Sequence, residues 1–233
     1  MNRTTHAPPA PRLNPRLSIN KLGEYVTAKP GRQLTILKTQ KYPEDFMGPR
    51  YQEATNSIVD FLFDPNRNPV PVRQLITQLR ARHGATDQET ARYVNNAEAL
   101  EAFLAAYPGL ALAAFTFRRP ATPARTLSMR GVEVSIRPEL EIVAQTRQGQ
   151  KIGSLKLHFP KSNELDQEAG DYIATIVHQH AELTHGPANV SRDHCMVLDI
   201  MRGNLFTAPK SNTRRRNDLA AACDVIARLW PTI

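Results

Sequence analysis

Between residues 132 and 159, three successive runs alternate apolar and polar side chains with a period of two. No other feature of the chain restricts its fold as much. Val132, Val134 and Ile136 oppose Glu133, Ser135 and Arg137. Leu140 and Ile142 oppose Glu139 and Glu141, and Leu155, Leu157 and Phe159 oppose Ser154, Lys156 and His158. Neighbouring side chains on a strand point to opposite faces, so each run fits a strand with one buried face. The connections are short, and Gly149 marks a turn before the third run. The expectation is a three-strand antiparallel meander whose polar face carries Glu139, Glu141, Ser154 and Lys156.

Helices flank this stretch. Thr86-Asp87-Gln88-Glu89 has the form of a capping box, with Thr86 as N-cap, opening a helix to about residue 107. Apolar positions at Ala169, Tyr172, Ile173, Ile176 and Val177 predict a helix over 165–183. The apolar run Cys195–Ile200 predicts a buried strand, Arg202-Gly203-Asn204 a turn, and Leu205-Phe206 a short partner strand. A closing helix is predicted over about 214–230 through Leu219, Ala222, Val225, Ile226 and Leu229. Toward the N-terminus, Ser18 caps a short helix and Pro30 opens a second. Further helical rhythms run from Tyr51 to Phe63 and through Val72, Leu75, Ile76 and Leu79, with a break at Asp64–Pro69. The expected organisation is an unstructured basic arm over 1–16, a helical region over 17–85 and an α/β core over 86–233.

The formal charge of +8 and pI of about 9.8 favour an anionic partner, of which nucleic acid is the commonest. A basic surface without a specific partner gives the same numbers. Arg214-Arg215-Arg216, preceded by Lys210, opens the closing helix, where cations oppose the helix dipole. Phosphate contact explains the cluster, with Arg130 extending the same surface; a solvated loop explains it equally well. Arg118, Arg119 and Arg125 belong to the same expected surface.

Other classes find little support. No run approaches the roughly 18 apolar residues of a membrane span, and the N-terminus lacks the apolar stretch of a secretory signal. Cys195 and Cys223 lack metal-site spacing and fit a reducing, cytoplasmic setting, with one bridge between them still open. His178 and Glu182 have the i, i+4 spacing of metal ligands, but a polar helix face accounts for them. Asp199 reads as a hydrogen-bonding residue at the edge of the core. Phosphate loops, dinucleotide fingerprints, nucleophile elbows and HExxH are absent from the sequence.

From about Ala91 the element order is helix, three strands, helix, strand, helix. Together with Pro138-Glu139 and Gly153-Ser154-Leu155-Lys156, this order resembles the PD-(D/E)XK nuclease superfamily over somewhat under two thirds of the chain. The resemblance implies a restriction-endonuclease-like core, Mg²⁺ or Mn²⁺ held by Glu139 and Glu141, and Lys156 orienting or activating water, so that Glu139, Lys156 and Glu141 form the catalytic set. Two positions depart from the pattern. Glu139 stands where aspartate is usual, and Ser154 where the second acid belongs, which removes a metal ligand. Glu141, or Glu98 or Glu101 on the preceding helix, would have to replace it.

Two functions follow as expectations. One is a metal-dependent nuclease acting on DNA. The other is a catalytically inactive nucleic-acid-binding or assembly subunit of a defence or mobile-element system, with the N-terminal helices engaging a protein partner and homo-oligomers compatible with either. The same four polar residues also fit an ordinary solvated sheet face, where cross-strand pairs contribute only about 0.2–1 kcal/mol.

Overall fold

The computed structural model describes residues 10–43, 50–120, 126–147, 149–160 and 165–233. Arm residues 1–9, residues 44–49 and Arg125 lie outside the described residues. Residues 10–16, expected to be part of an unstructured arm, are anchored instead. Arg12 N–H donates to Lys41 O at 2.9 Å, and Trp230 Nε1 donates to Arg12 O at 3.0 Å.

A short strand, β1 (Arg16–Ser18), leads directly into α1 (Ile19–Thr27), where the Ser18 hydroxyl accepts from Lys21 N–H at 3.3 Å. Next come α2 (Pro30–Lys41), α3 (Gln52–Phe63), α4 (Val70–Ala81) and α5 (Asp87–Ala106). The Thr86 hydroxyl caps α5 by accepting from Glu89 N–H at 3.1 Å. The Glu89 carboxylate reaches back to Ala85 N–H at 2.9 Å, one residue earlier than a capping box requires.

The strands are β2 (Thr116–Arg118), β3 (Thr126–Met129), β4 (Val132–Ser135), β5 (Leu140–Thr146), β6 (Gly149–His158), β7 (Val190–Asp199) and β8 (Asn204–Thr207). The helix α6 (Gln167–His185) connects β6 to β7, and α7 (Thr213–Leu229) follows β8. They form a five-stranded sheet in the order β2-β5-β6-β7-β8 and a three-stranded sheet in the order β1-β4-β3. The large sheet is antiparallel except between β6 and β7, whose parallel pairing needs the α6 crossover.

This corrects the expected meander. The 132–136 run does not pair with the 140–142 run; β2 takes that place beside β5, while β4 pairs with β1 and β3. The cause is the destination of each buried face. Val132, Val134 and Ile136 enter a core with Leu17, Leu22 and Trp230, whereas Leu140 and Ile142 enter a second core with Leu100 and Phe103. Between them, Pro138 has no N–H for a continuous ladder.

The two cores occupy opposite faces of the large sheet. Leu140, Ile142, Leu155, Leu157, Met196 and Leu198 face a core shared with α3, α4 and α5. Cys195, Val197 and Phe206 meet Ile173, Ile176 and Val177 of α6 in the other, which extends to α1, α2, α7 and the small sheet. Each core draws residues from both sides of residue 85. Cys195 and Cys223 are free, buried thiols, with burial pushing both up to about 12. Among the described residues no helix is long and apolar enough to cross a membrane.

Candidate functional site

The alternation along β6 sends Leu155 and Leu157 to one core and leaves Ser154, Lys156 and His158 on the α6 face. The β6–β7 pairing shifts register between Ile152, paired with Val190, and Ser154, paired with Cys195. Gly153 makes this possible: a Cβ there would fall 2.1 Å from His194 O. The β5–β6 register then sets Glu141 opposite Ser154 and Leu140 opposite Leu155, so the residue before β5, Glu139, arrives beside Lys156.

Glu139 and Lys156 form an ion pair, with Lys156 Nζ donating to Oε1. The other carboxylate oxygen, Oε2, accepts from Leu157 N–H at 2.6 Å, and Glu139 N–H donates to Leu155 O at 3.0 Å. Both side chains are largely shielded, at 12% exposure for Lys156 and 14% for Glu139. The expected juxtaposition of Glu139 and Lys156 is therefore present.

This pair lines a cavity of about 550 Å³ at the C-terminal end of β6. Lys21, Glu24, Arg32, Arg50 and His158 also line it, and none of these stood out in the sequence as a site residue. Glu24 accepts from Lys21 Nζ at 2.7 Å and from Arg32 Nε at 2.7 Å. Burial acts to raise the Glu24 carboxyl, but these two cations outweigh it and hold the group below the usual carboxylate range. Burial pushes the His158 imidazole down to about 4, with Lys156 and Lys21 acting in the same direction, so the ring is neutral at pH 7. The only sequence cue to Glu24 is that it shares α1 with Lys21, one turn apart. Nothing in the sequence ties that turn to β6.

Glu141 has a different setting. It is 3% exposed, accepts from Arg118 Nε at 2.6 Å, lies 2.9 Å from His185 Nε2, and does not line the cavity. Ser154 is 2% exposed and lies directly across the strand pair from Glu141. Glu98 and Glu101 do not line the cavity either, and Glu101 pairs with Arg80 at 2.8 Å. A divalent ion takes hard oxygen donors arranged around one point. These donors do not fit it as arranged, because Glu139 is bound by Lys156 and Leu157 N–H and Glu141 by Arg118 and His185. Among the described residues no group of three or more His, Cys, Asp or Glu side chains surrounds a common centre.

The basic residues expected to form one surface are dispersed. Arg215 donates to Asp171 Oδ2 at 2.5 Å. Arg216 donates to Glu182 Oε2 at 2.8 Å and to His178 Nδ1 at 3.0 Å, which gives His178 the tautomer with its proton on Nε2, toward Glu182 Oε1 at 3.4 Å. These two arginines clamp α7 to α6. Arg214 extends into solvent at 90% exposure, with Asp218 3.7 Å away, and Lys210 is exposed. Arg130 and Gly131 form the β3–β4 turn with φ values of 49° and 79°. A Cβ on Gly131 would lie 3.9 Å from Ala227, so this turn sits roughly 20 Å along α7 from Arg214, at 1.5 Å of rise per residue. Arg118 and Arg119 pair with Glu141 and Asp60, both at 2.6 Å. Asp199 is the core-edge residue expected: its Oδ1 accepts from Met201 N–H at 3.0 Å and Arg202 N–H at 3.2 Å in the β7–β8 turn.

No protein-family model matches the chain, and no curated protein matches it in sequence.

Proposed function

We propose that the chain binds nucleic acid in the cavity at the end of β6, holding phosphate groups there without hydrolysing them. The observation that carries this reading is the closed Glu139–Lys156 pair inside a cation-lined cavity. Lys21, Arg32, Arg50 and Lys156 supply positive charge, and the one carboxylate beside Lys156 is already satisfied by protein donors. Compensated carboxylates repel a phosphate weakly, while the net charge of +8 attracts a polyanion from a distance.

A second reading, a metal-dependent nuclease, is favoured by one observation. The order β2-β5-β6-β7, with antiparallel neighbours up to β6 and α6 crossing to a parallel β7, is the strand order a PD-(D/E)XK core would have. Glu139 and Lys156 stand at the corresponding motif positions, and Ser154 stands at the missing one.

Labelled single-stranded and duplex DNA, and RNA, incubated with the full chain in Mg²⁺, Mn²⁺ or EDTA, separate the readings. Binding is expected to be metal-indifferent, to weaken with salt, to leave the substrate intact and to fall about tenfold in Lys156→Ala. Metal-dependent cleavage abolished in Glu139→Gln and Lys156→Ala would overturn the binding-only reading in favour of the nuclease. Absence of binding to every nucleic acid removes both.

A further inference from the structure

We infer that the cavity takes one unpaired nucleotide, with its base against an aromatic pair and its phosphate on the cations. This rests on the nucleic-acid reading above and goes further, because it specifies single strands over duplex.

Two lining residues at the ends of different elements bring their rings together. Tyr51 immediately precedes α3, and Phe159 immediately follows β6. Their ring centroids lie 4.8 Å apart with an interplanar angle of 10°, a stacked pair. Aromatic side chains are the usual platform for an unstacked base, since every base has a π-face to offer. A base inside a duplex has both faces covered by its neighbours, so only an unpaired nucleotide can use this wall.

Among the described residues, two further lining side chains have a buried polar atom without a hydrogen-bond partner, Asn20 Oδ1 and His158 Nδ1. Buried polar groups are ordinarily paired, so each of these side chains would gain a hydrogen bond by turning toward a ligand in the cavity. Asn20 Oδ1 accepts from an amino or imino group. The neutral imidazole of His158 accepts or donates according to tautomer. Both are suited to the edge of a base.

The charges fit the rest of the nucleotide. Among the described residues, each of the three lining carboxylates already has a donor from the protein: Glu24 has Lys21 and Arg32, Glu139 has Lys156 and Leu157 N–H, and Asp166 has Ala169 N–H at 2.7 Å. Arg50 has no ion pair among the described residues, which makes its guanidinium the readiest phosphate ligand. The cavity volume of about 550 Å³ lies within the span of about 300–1,000 Å³ typical of small-ligand sites.

The experiment uses the full chain, a labelled single-stranded oligonucleotide, a blunt duplex of the same length and a free nucleoside 5′-monophosphate. The single strand is expected to bind at least about tenfold tighter than the duplex, the scale of one base–aromatic stack. Tyr51→Ala removes that preference and Tyr51→Phe retains it, while Arg50→Gln weakens the single strand several-fold. A mononucleotide that binds in a Tyr51-dependent manner, with no strand bound, supports the pocket and overturns the nucleic-acid reading in favour of a free nucleotide. Strands that bind without preference, or a preference that survives both Tyr51→Ala and Arg50→Gln, overturn the inference and leave the proposed function standing. No binding of any probe overturns both.

Discussion

At the residue scale the cavity concentrates charges that depend on one another. Lys156 and Glu139 are both largely shielded, so removing either leaves the other partly desolvated and unpaired. Lys156→Ala is expected to lower stability by about 1–3 kcal/mol in urea unfolding. The double variant Glu139→Gln/Lys156→Met is expected to lose less than the two single losses added together, because the coupled pair disappears as a unit. His158 gives the cavity a pH signature. Its folded pKa of about 4 lies below the unfolded value of 6.5, so between those limits the unfolded chain holds the extra proton. The stability linked to this group is complete above pH 6.5 and falls as the pH drops toward 4, by on the order of 3 kcal/mol at most. Lys156, Lys21 and Arg202 act on the ring in the same sense as burial and Glu24 against it, so the depression survives their mixed signs. In His158→Gln the unfolding free energy measured across that window should be flatter; an unchanged slope would assign it to other groups. The sequence made Glu139 and Lys156 visible, because alternation and a short connection put them on one face of paired strands. It hid Glu24, Tyr51 and Arg50, which reach the same cavity from α1 and from the residues just before α3, about a hundred residues away.

At the element scale, two joints fix the geometry. The first is the bulge at Gly153, where the backbone of β7 comes so close that a methyl group would collide with a carbonyl oxygen. A backbone atom in a central parallel pair cannot step aside as a side chain does, so Gly153→Ala is expected to cost about 3 kcal/mol. Because the β6 register depends on this joint, the same variant should also weaken binding in the cavity. The second joint is the α6–α7 clamp. Arg216→Ala removes a charged donor from Glu182 and His178, and Arg215→Ala removes the one on Asp171 Oδ2, so each should lower the melting temperature measurably. Arg214→Ala should change stability by no more than about 0.5 kcal/mol, since its head is in solvent. Three adjacent arginines looked alike in the sequence, and helix-dipole reasoning left all three open between phosphate contact and a solvated loop. The carboxylates that claim two of them lie 34 and 44 residues upstream on another helix, and no local pattern reports that.

At the scale of the whole molecule, period-two alternation was a sound guide to which residues are strands and a poor guide to their neighbours. The 132–136 and 140–142 runs carry the same pattern, yet they bury it in different cores, and β2 has only three residues with which to advertise itself. Dispersal of the arginines has a parallel consequence for charge. If the surplus of +8 acted as one broad basic face, a bound strand would touch many phosphates and affinity would fall steeply with salt. The clamp arginines and the distant β3–β4 turn argue against such a face, and the cavity offers Lys21, Arg32, Arg50 and Lys156 instead. Engagement of the one or two phosphates that flank the bound nucleotide predicts a slope of log affinity against log salt between about −0.7 and −1.4 for a single strand. Arg50→Gln should make that slope shallower by about 0.7, the contribution of one phosphate, whereas Arg130→Gln should leave it unchanged. A slope steeper than about −5, or equal sensitivity to Arg50→Gln and Arg130→Gln, would mean that binding is spread over the surface and that the cavity is not its centre.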